Sequence, residues 1–209
     1  MGHKFAELAF TPAVREMQEA LGSRANYAAM EGGADHNHVL TEQETAFIQA
    51  RDSFYMATVS QTGWPYVQYR GGPRGFLKRV DDRTLAFADY RGNRQYISTG
   101  NLEANDRACL ILMDYRAQAR LKIYAHVTTL SLDEDPTLAA LVAVPDYKAK
   151  VERIFRLTLD AFDWNCPQHI TRRFTEPEIV EAVRPLREQL AKLESENDAL
   201  RARLAVQPG

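Results

Sequence analysis

The feature that most constrains the fold is a series of short β-branched and aromatic segments, most of them in the middle third of the chain. Turn signals such as QTGWP, GGPR and DDR separate the first of these segments. Six or seven strands joined mostly by short turns favour an antiparallel barrel or sandwich over a doubly wound parallel sheet. The predicted strands are residues 54–60, 66–70, 75–80, 84–88, 108–115, 120–131 and 153–164.

Helix signals lie on both sides of these strands, which predicts a mainly β fold with flanking helices. Thr11-Pro12 combines an N-cap residue with proline at the first helical position and predicts a helix that ends near Gly22. The capping-box spacing from Thr41 to Glu44 predicts a second helix. Residues 24–39 are predicted to form a loop. A short helix is expected within 89–106, and another from 136 to about 144.

The C-terminal segment carries a heptad pattern. The d positions are Ile179, Leu186, Leu193 and Leu200, and the a positions are Val183, Leu190, Asn197 and Leu204. A lone Asn at an a position specifies two parallel strands, and Glu196 at g would attract Arg201 at e of a partner. Pro185 lacks an amide hydrogen, so the continuous helix is predicted to start there. The alternative is a leucine-rich helix folded back onto its own domain.

Composition limits the classes of partner. A formal net charge of −2 argues against nucleic acid and against an anionic membrane surface as partners. No stretch approaches the roughly eighteen uninterrupted apolar residues of a membrane span, and no signal peptide is evident. The two cysteines do not suggest a disulfide framework, so a cytoplasmic protein is expected. Three regions are predicted: 1–40 as an N-terminal helix and loop, 41–174 as the barrel domain, and 175–209 as a helical tail.

Two clusters of hydrogen-bond donors suggest a phosphate site. Residues 91–95 (RGNRQ) follow a predicted strand and place cationic and amide side chains around a glycine. Such a loop can surround phosphate oxygens with an Arg fork and backbone amides, and a following helix would add free N–H groups. Gln68, Tyr69 and Arg70 precede two glycines, where a ligand can approach the backbone closely. The alternative is a pair of solvated turns.

The order of these motifs resembles the pyridoxamine 5′-phosphate oxidase-like flavoproteins, which bind FMN on a split β-barrel. The likeness covers roughly residues 41 to 131. Gly63-x-Pro65 followed by Gln68 matches the entry to the family's first FMN-binding strand, and residues 93–95 fall on its phosphate clamp. The resemblance implies an FMN-dependent oxidoreductase that forms a homodimer with FMN between protomers and acts on a small molecule. The cofactor-binding residues it implies are Gln68, Tyr69, Arg70, Gly71, Phe87, Ala88, Asp89, Asn93, Arg94 and Gln95.

The sequence also departs from the family pattern. Gln68 and Gln95 replace an Arg and a Lys, so two positive charges on the phosphate are missing, for which Arg70, Arg91 or Lys78 could compensate. No residue stands out as an essential acid or base. Two alternatives therefore stay open. One is a non-catalytic flavin or haem sensor on the same barrel, and the other is a dimeric scaffold.

A second candidate segment is DWNCPQHI, which begins at the end of the last predicted strand. It resembles a segment in a bacterial subgroup of the family, where it would fit as a lid over the flavin ring. Trp164 could stack on the ring and Gln168 could bond its polar edge. The alternative is a barrel-closing loop. Cys166 with His169, and His36 with His38, lack the further ligands of a metal site, so no metal is predicted.

Overall fold

Seven strands form one antiparallel sheet in the computed structural model, which describes residues 2–32, 34–164 and 167–206. The strands are β1 (Ser53–Val59), β2 (Pro65–Gly71), β3 (Lys78–Arg79), β4 (Thr84–Tyr90), β5 (Arg107–Asp114), β6 (Ala119–Leu130) and β7 (Val151–Trp164). Their order in the sheet is β2-β1-β5-β6-β7-β4-β3. The predicted fold class, a six- to seven-stranded antiparallel split barrel with flanking helices, is confirmed.

The alternation of side chains along the strands places the core. In β1, Phe54 and Met56 are buried inside the barrel, while Tyr55 points outward. Strand β4 differs because both of its faces are covered. Phe87 lies in the barrel core, and Ala88 belongs to a smaller core beneath a helix. A strand buried on both faces has a continuous apolar run, as the sequence LAFA shows.

The helices are α1 (Lys4–Ala9), α2 (Pro12–Ala20), α3 (Arg24–Ala28), α4 (Glu42–Gln49), α5 (Ile97–Ala104), α6 (Pro136–Val142) and α7 (Glu176–Val206). Both predicted N-terminal caps are confirmed. The Thr11 hydroxyl accepts from the Val14 amide, and Thr41 and Glu44 form the capping box of α4. The helices expected within 89–106 and from 136 are present as α5 and α6.

The N-terminal region contains more helix than the sequence suggested. The loop predicted for residues 24–39 was wrong at its start, where α3 and a 3₁₀ turn at Ala29–Glu31 follow one another. Helix α1 was not predicted, since a six-residue helix has little stability of its own. It is held by tertiary contact instead. Phe5 is buried and stacks on Tyr124 of β6 with ring centroids 4.5 Å apart.

The strand predicted at 75–80 is much shorter than expected, because β3 contains only Lys78–Arg79. The reason is local. Gly75 has a left-handed φ of 76°, and its amide donates to the carbonyl of Arg51. The Phe76 amide closes a turn by donating to the carbonyl of Pro73. The chain therefore reaches β4 with only two residues available for pairing.

Helix α7 corrects the prediction that a continuous helix starts at Pro185. It runs without interruption over 31 residues, and Pro185 lies inside it. A proline removes one hydrogen bond and crowds the preceding turn, but the many other bonds of a long helix remain. Pairing of its heptads between protomers stays a prediction. Within the described chain, no helix combines the length and apolar character needed to cross a membrane.

The barrel is open along one line, which we call the seam. It lies between β2, which is one edge of the sheet, and β4, whose outer side pairs with β3 only through Ala86 and Leu85. Among the described residues, Phe87–Tyr90 has ladder partners only in β7. Helix α5 follows β4 and packs beside the seam, where Asn101 donates to the Thr58 hydroxyl of β1 at 3.0 Å. Side chains, and not backbone pairing, span the gap.

Candidate functional site

A small cleft of about 50 Å³ opens at the seam, where β2, β4, β7 and the first turn of α5 meet. Five of the residues predicted from sequence line it: Gln68, Arg70, Asp89, Asn93 and Arg94. They come from β2, from β4 and from the loop after β4. The structure therefore brings the two predicted donor clusters to one place.

A buried ion pair forms the floor of the cleft. Arg70 Nη1 lies 2.5 Å from Asp89 Oδ1, and Arg153 Nε lies 3.5 Å from Asp89 Oδ2. Burial raises the pKa of Asp89 and lowers the pKa of Arg70, while the attraction between the opposite charges acts against both shifts. The Arg70 guanidinium lies over the Phe155 ring, 5.2 Å from its centroid. Its Nε is buried and has no hydrogen-bond partner among the described residues.

The loop after β4 forms the outer wall and is strained. Arg94 and Tyr96 both have left-handed backbone, with φ of 63° and 54°. Such a conformation typically costs a non-glycine residue about 1–3 kcal/mol and is concentrated at functional sites. Arg94 Nε donates to the Tyr96 hydroxyl at 3.1 Å, and the Gln95 amide donates to Asn93 Oδ1 at 3.2 Å. Arg91 points to the rim, where its Nε lies 2.7 Å from Glu152 Oε1.

The N-terminus of α5 supplies backbone donors. In the described part of the chain no side chain caps this helix, and its N-cap residue, Tyr96, is in the left-handed region. The first N–H groups of a helix lack internal partners and carry the positive end of the helix dipole. Two first-turn residues, Ser98 and Thr99, line the cleft. The Ser98 hydroxyl donates to Gln68 Oε1 at 2.9 Å, and Thr99 accepts from Arg153 at 3.1 Å. This end of the helix is suited to an anion.

The other predicted residues of the two clusters lie outside the cleft. Tyr69 is on the outer face of β2, where its ring meets Tyr55 edge-on with centroids 5.7 Å apart. The Phe87 and Ala88 side chains are in the two cores, so only their backbone could face a ligand. Gln95 is exposed in the loop. A cofactor contact by these residues stays a prediction.

The two glycines after Arg70 are constrained by neighbouring rings. A Cβ on Gly72 would lie 2.7 Å from the Phe76 ring, and one on Gly71 would lie 2.9 Å from the Tyr69 ring. The space beside Gly72 is therefore filled by a core side chain and does not admit a ligand. Gly71 ends β2, and its predicted contact with a cofactor remains untested.

A sequence model of the pyridoxamine 5′-phosphate oxidase family matches residues 40–158. The chain belongs to this family. The match contains β1 to β6, most of β7 and every cleft residue, so the cleft lies within the part of the chain that the family model matches. No protein of curated function matches the sequence.

Solved structures of similar fold are distant from this family member. A Clostridium acetobutylicum protein related to general stress protein 26 is 13% identical, with a TM-score of 0.46 over 66% of this chain and 94% of its own. An FMN-binding protein from Syntrophomonas wolfei is 12% identical, with a TM-score of 0.45 over 72% of this chain and 97% of its own. An F420 reductase is 19% identical, with a TM-score of 0.43 over 59% of this chain and 98% of its own. Likenesses this weak assign neither cofactor nor substrate.

The structure of this family member does not bring Trp164 and Gln168 to the cleft within one chain. Trp164 ends β7, a 14-residue strand that rises about 3.3 Å per residue, while Arg153 lies near the other end. Trp164 Nε1 donates to Glu44 Oε1 at 2.8 Å, and its ring contacts Phe47 edge-on. Gln168 is exposed in a turn. Asn165 and Cys166 lie outside the described residues, and the lid role stays a prediction.

The cleft residues absent from the predicted set include Ser98, Thr99 and Glu152 of the lining, together with Arg153, which contacts Asp89 at the floor. The first two lie in the segment expected to add free helix amides, so a signal for them existed. Glu152 and Arg153 carry no local signal. They reach the cleft because β7 pairs with β4, which aligns Arg153 with Asp89.

No group of three or more His, Cys, Asp or Glu side chains that could hold a metal occurs in the part of the chain that the structure describes. His36 packs against His3, with ring centroids 4.9 Å apart. The Cys109 thiol is free and half-buried, and burial raises its pKa above the ordinary value. A protonated thiol is a poor nucleophile and a poor metal ligand.

Proposed function

We propose that this chain is an FMN-dependent oxidoreductase that holds the FMN phosphate in the cleft at the seam. The observation that carries the proposal is the convergence of the uncapped N-terminus of α5, the Arg94 side chain and the Arg70 side chain on one small cleft. Several donors of this kind, including a planar guanidinium, are what a phosphate group requires. The proposed flavin domain is residues 41–174.

The donors of the cleft are arranged to receive an anion. Arg94 and Asn93 would bind the phosphate directly, with Gln95 and the first-turn amides of α5 assisting. Arg70 would supply the positive charge that is missing because Gln68 stands where the family has an arginine. Its charge is shared with Asp89, so its contribution is smaller than that of a free arginine. The strained backbone at Arg94 supports a functional role for this loop.

The unpaired backbone along the seam suits the flavin ring. The free edge of β4 at Phe87–Tyr90 and the outer edge of β2 present N–H and C=O groups that no strand in the described chain uses. A flavin ring has polar edges that such groups can bond, and FMN when bound supplies the hydride and electron-transfer chemistry. The chain itself would bind the cofactor, orient it and limit access of water.

A homodimer with FMN between the protomers is part of the proposal. The outer face of the β1–β2 hairpin is apolar and exposed, with Trp64 at 76% exposure and Val67 and Tyr69 at about 60%. An exposed patch of this kind indicates a protein interface. A second copy covering it would enclose the ring and leave room for a small-molecule substrate. We place the protein in the cytoplasm, where the Cys109 thiol stays reduced.

The test is FMN binding by an Arg94→Ala variant. Flavin content after purification and the Kd for added FMN would be measured for wild type, for Arg94→Ala and for Arg184→Ala. Arg184 is exposed on α7 away from the cleft and serves as the matched control. Losing one hydrogen bond from a charged donor should cost about 1.5–3 kcal/mol of binding free energy, which raises the Kd roughly ten- to hundredfold. An unchanged Kd in Arg94→Ala would overturn the assigned site.

The charge balance of the cleft favours one second candidate, a flavin-binding module without catalysis. The carboxylates of Asp89 and Glu152 form ion pairs with Arg70, Arg91 and Arg153, so the charges of these three arginines are partly compensated. Gln68 and Gln95 carry no charge. Among the described residues, Arg94 is therefore the main cation of the loop that is not in an ion pair. This arrangement suits moderate binding of FMN as a sensor. FMN that is bound but is not reduced by NADH or NADPH, and does not pass electrons to oxygen or a quinone, would favour this candidate.

A further inference from the structure

Helix α7 exposes an apolar stripe that Asn197 interrupts. Leu186, Leu190, Leu193, Leu200 and Leu204 are between 53% and 70% exposed. The helix has 31 residues and is about 46 Å long at 1.5 Å per residue. Its described ion pair with the barrel, Arg116 with Glu178, lies in its first turn. The stripe begins beyond that contact and is not covered by the body of its own chain.

We propose that α7 pairs with α7 of a second copy of this chain as a parallel two-stranded coiled coil. The occupant of the stripe is thus an identical stripe, related by a two-fold axis that runs along the helices. The leucines fall at a and d positions over consecutive heptads, which is the pattern of a coiled-coil interface. Pro185 falls at c and so faces away from the partner. This inference concerns the tail and does not depend on the bound cofactor.

Asn197 favours the parallel orientation. In a parallel pair, Asn197 lies opposite Asn197 of the partner, and the two amides can bond each other. In the antiparallel register that pairs Leu186 with Leu204 and Leu190 with Leu200, Asn197 would instead face Leu193. An amide buried against leucine loses its hydrogen bonds to water and gains none. The antiparallel pair therefore carries a penalty that the parallel pair avoids.

The flanking charges favour the same orientation. In a parallel pair, g residues meet e residues of the next heptad, so Glu196 meets Arg201 and Gln189 meets Glu194, with no like-charge contact. In the antiparallel register, like positions meet. Arg187 would face Arg201, and Glu194 and Glu196 would each face their own copies. Like charges at these positions are destabilising and set the choice of partner and orientation.

Cysteine cross-linking tests the orientation in the full-length protein. Leu200→Cys places a cysteine at d, and the matched control Ala202→Cys places one at f, on the outer surface. A disulfide needs Cα atoms within about 4.4–6.8 Å, which facing d positions of a parallel pair provide and f positions do not. We expect mild oxidation to give a covalent dimer with Leu200→Cys and with Leu204→Cys. Ala202→Cys should remain at the background level of wild type, which keeps both native cysteines.

Each other outcome overturns the proposal. A mixture of Leu190→Cys and mass-tagged Leu200→Cys that yields mainly the mixed dimer would show antiparallel pairing. No cross-link at 200 or 204, and no mixed dimer between the cysteines at 190 and 200, would show that the stripe does not meet a second copy. Equal cross-linking at 200 and 202 would show random collision. The double variant Arg94→Ala/Leu200→Cys separates this inference from the proposed function. It should no longer bind FMN, but it should form the disulfide dimer to the same extent as Leu200→Cys alone.

Discussion

Glu44 accepts a hydrogen bond from Trp164 Nε1 at 2.8 Å, and this bond joins the first turn of α4 to the last residue of β7. The carboxylate is buried, and its other oxygen accepts from the Thr41 amide and hydroxyl. One side chain thus completes a helix cap and holds that helix against the sheet. The indole also contacts Phe47 one turn further along α4.

Trp164→Phe should lower the free energy of unfolding by about 1–3 kcal/mol, because the buried Glu44 carboxylate loses a donor. Urea unfolding followed by circular dichroism would measure it. Met17→Leu is the control, since Met17 is 57% exposed on α2 and its substitution should change stability by less than about 0.5 kcal/mol. Equal effects of the two substitutions would show that the bond to Glu44 contributes nothing.

Glu44 should also make stability depend on pH. Burial, the largest influence, raises its pKa, but hydrogen bonds from Thr41 and Trp164 and from the backbone bring the pKa below the ordinary value of a glutamate. A carboxyl with a depressed folded-state pKa stabilises the protein above its unfolded pKa, and this contribution is lost as pH falls through the folded pKa. The stability difference between wild type and Glu44→Gln should be constant above about pH 5.5 and shrink below 4.5. A difference that stays constant down to pH 3 would contradict the assignment.

Asp89→Leu should destabilise the protein by about 3–5 kcal/mol, because it leaves the Arg70 guanidinium buried without its carboxylate. The double variant Arg70→Met/Asp89→Leu should recover most of that loss, since it removes both charges. The exposed pair Arg184–Glu181 provides the comparison, and Glu181→Gln should cost less than about 1 kcal/mol. Equilibrium unfolding in urea gives all three values. A double variant no more stable than Asp89→Leu would be inconsistent with a buried charge as the cause.

Gly72→Ala should destabilise the fold by about 1–3 kcal/mol, because the new methyl would meet the Phe76 ring, which is buried and cannot move freely. Gly100→Ala is the opposite case. Gly100 lies within α5 with open space around it, so alanine should stabilise the helix by roughly 0.5–1 kcal/mol. Thermal unfolding should show shifts of opposite sign, and a shift of the same sign in both would refute this explanation.

The elements predicted best from sequence are those whose signals are local. The caps at Thr11 and Thr41 need only a hydroxyl at the right spacing, and both occur where expected. Elements that depend on distant contacts were either missed or predicted with the wrong length. Helix α1 is held by Phe5 against β6, and β3 is cut short by the turn at Gly75. The unbroken α7 shows that Pro185 weakens a long helix without ending it.

The same distinction applies to the candidate site. The donor clusters around Arg70 and Arg94 were recognisable because each is contiguous in sequence, and the structure brings them together. Arg153 could not be found in this way, because it reaches Asp89 only through the register of β7 on β4. Trp164 was placed near a flavin by resemblance. In the structure, Trp164 and Arg153 lie near opposite ends of the 14-residue strand β7, and this separation keeps Trp164 away from the cleft of its own chain.

The open seam means that two different kinds of interaction determine the shape of the barrel. Strand register is fixed by backbone ladders that run from β2 through β1 to β4. The width of the gap between β2 and β4 is fixed by side chains, chiefly Arg70 with Asp89 and Gln68 with Ser98. Substitutions at these four positions can therefore widen or narrow the entrance without changing the register of any strand. They are the positions at which to redesign this barrel for a cofactor of different size.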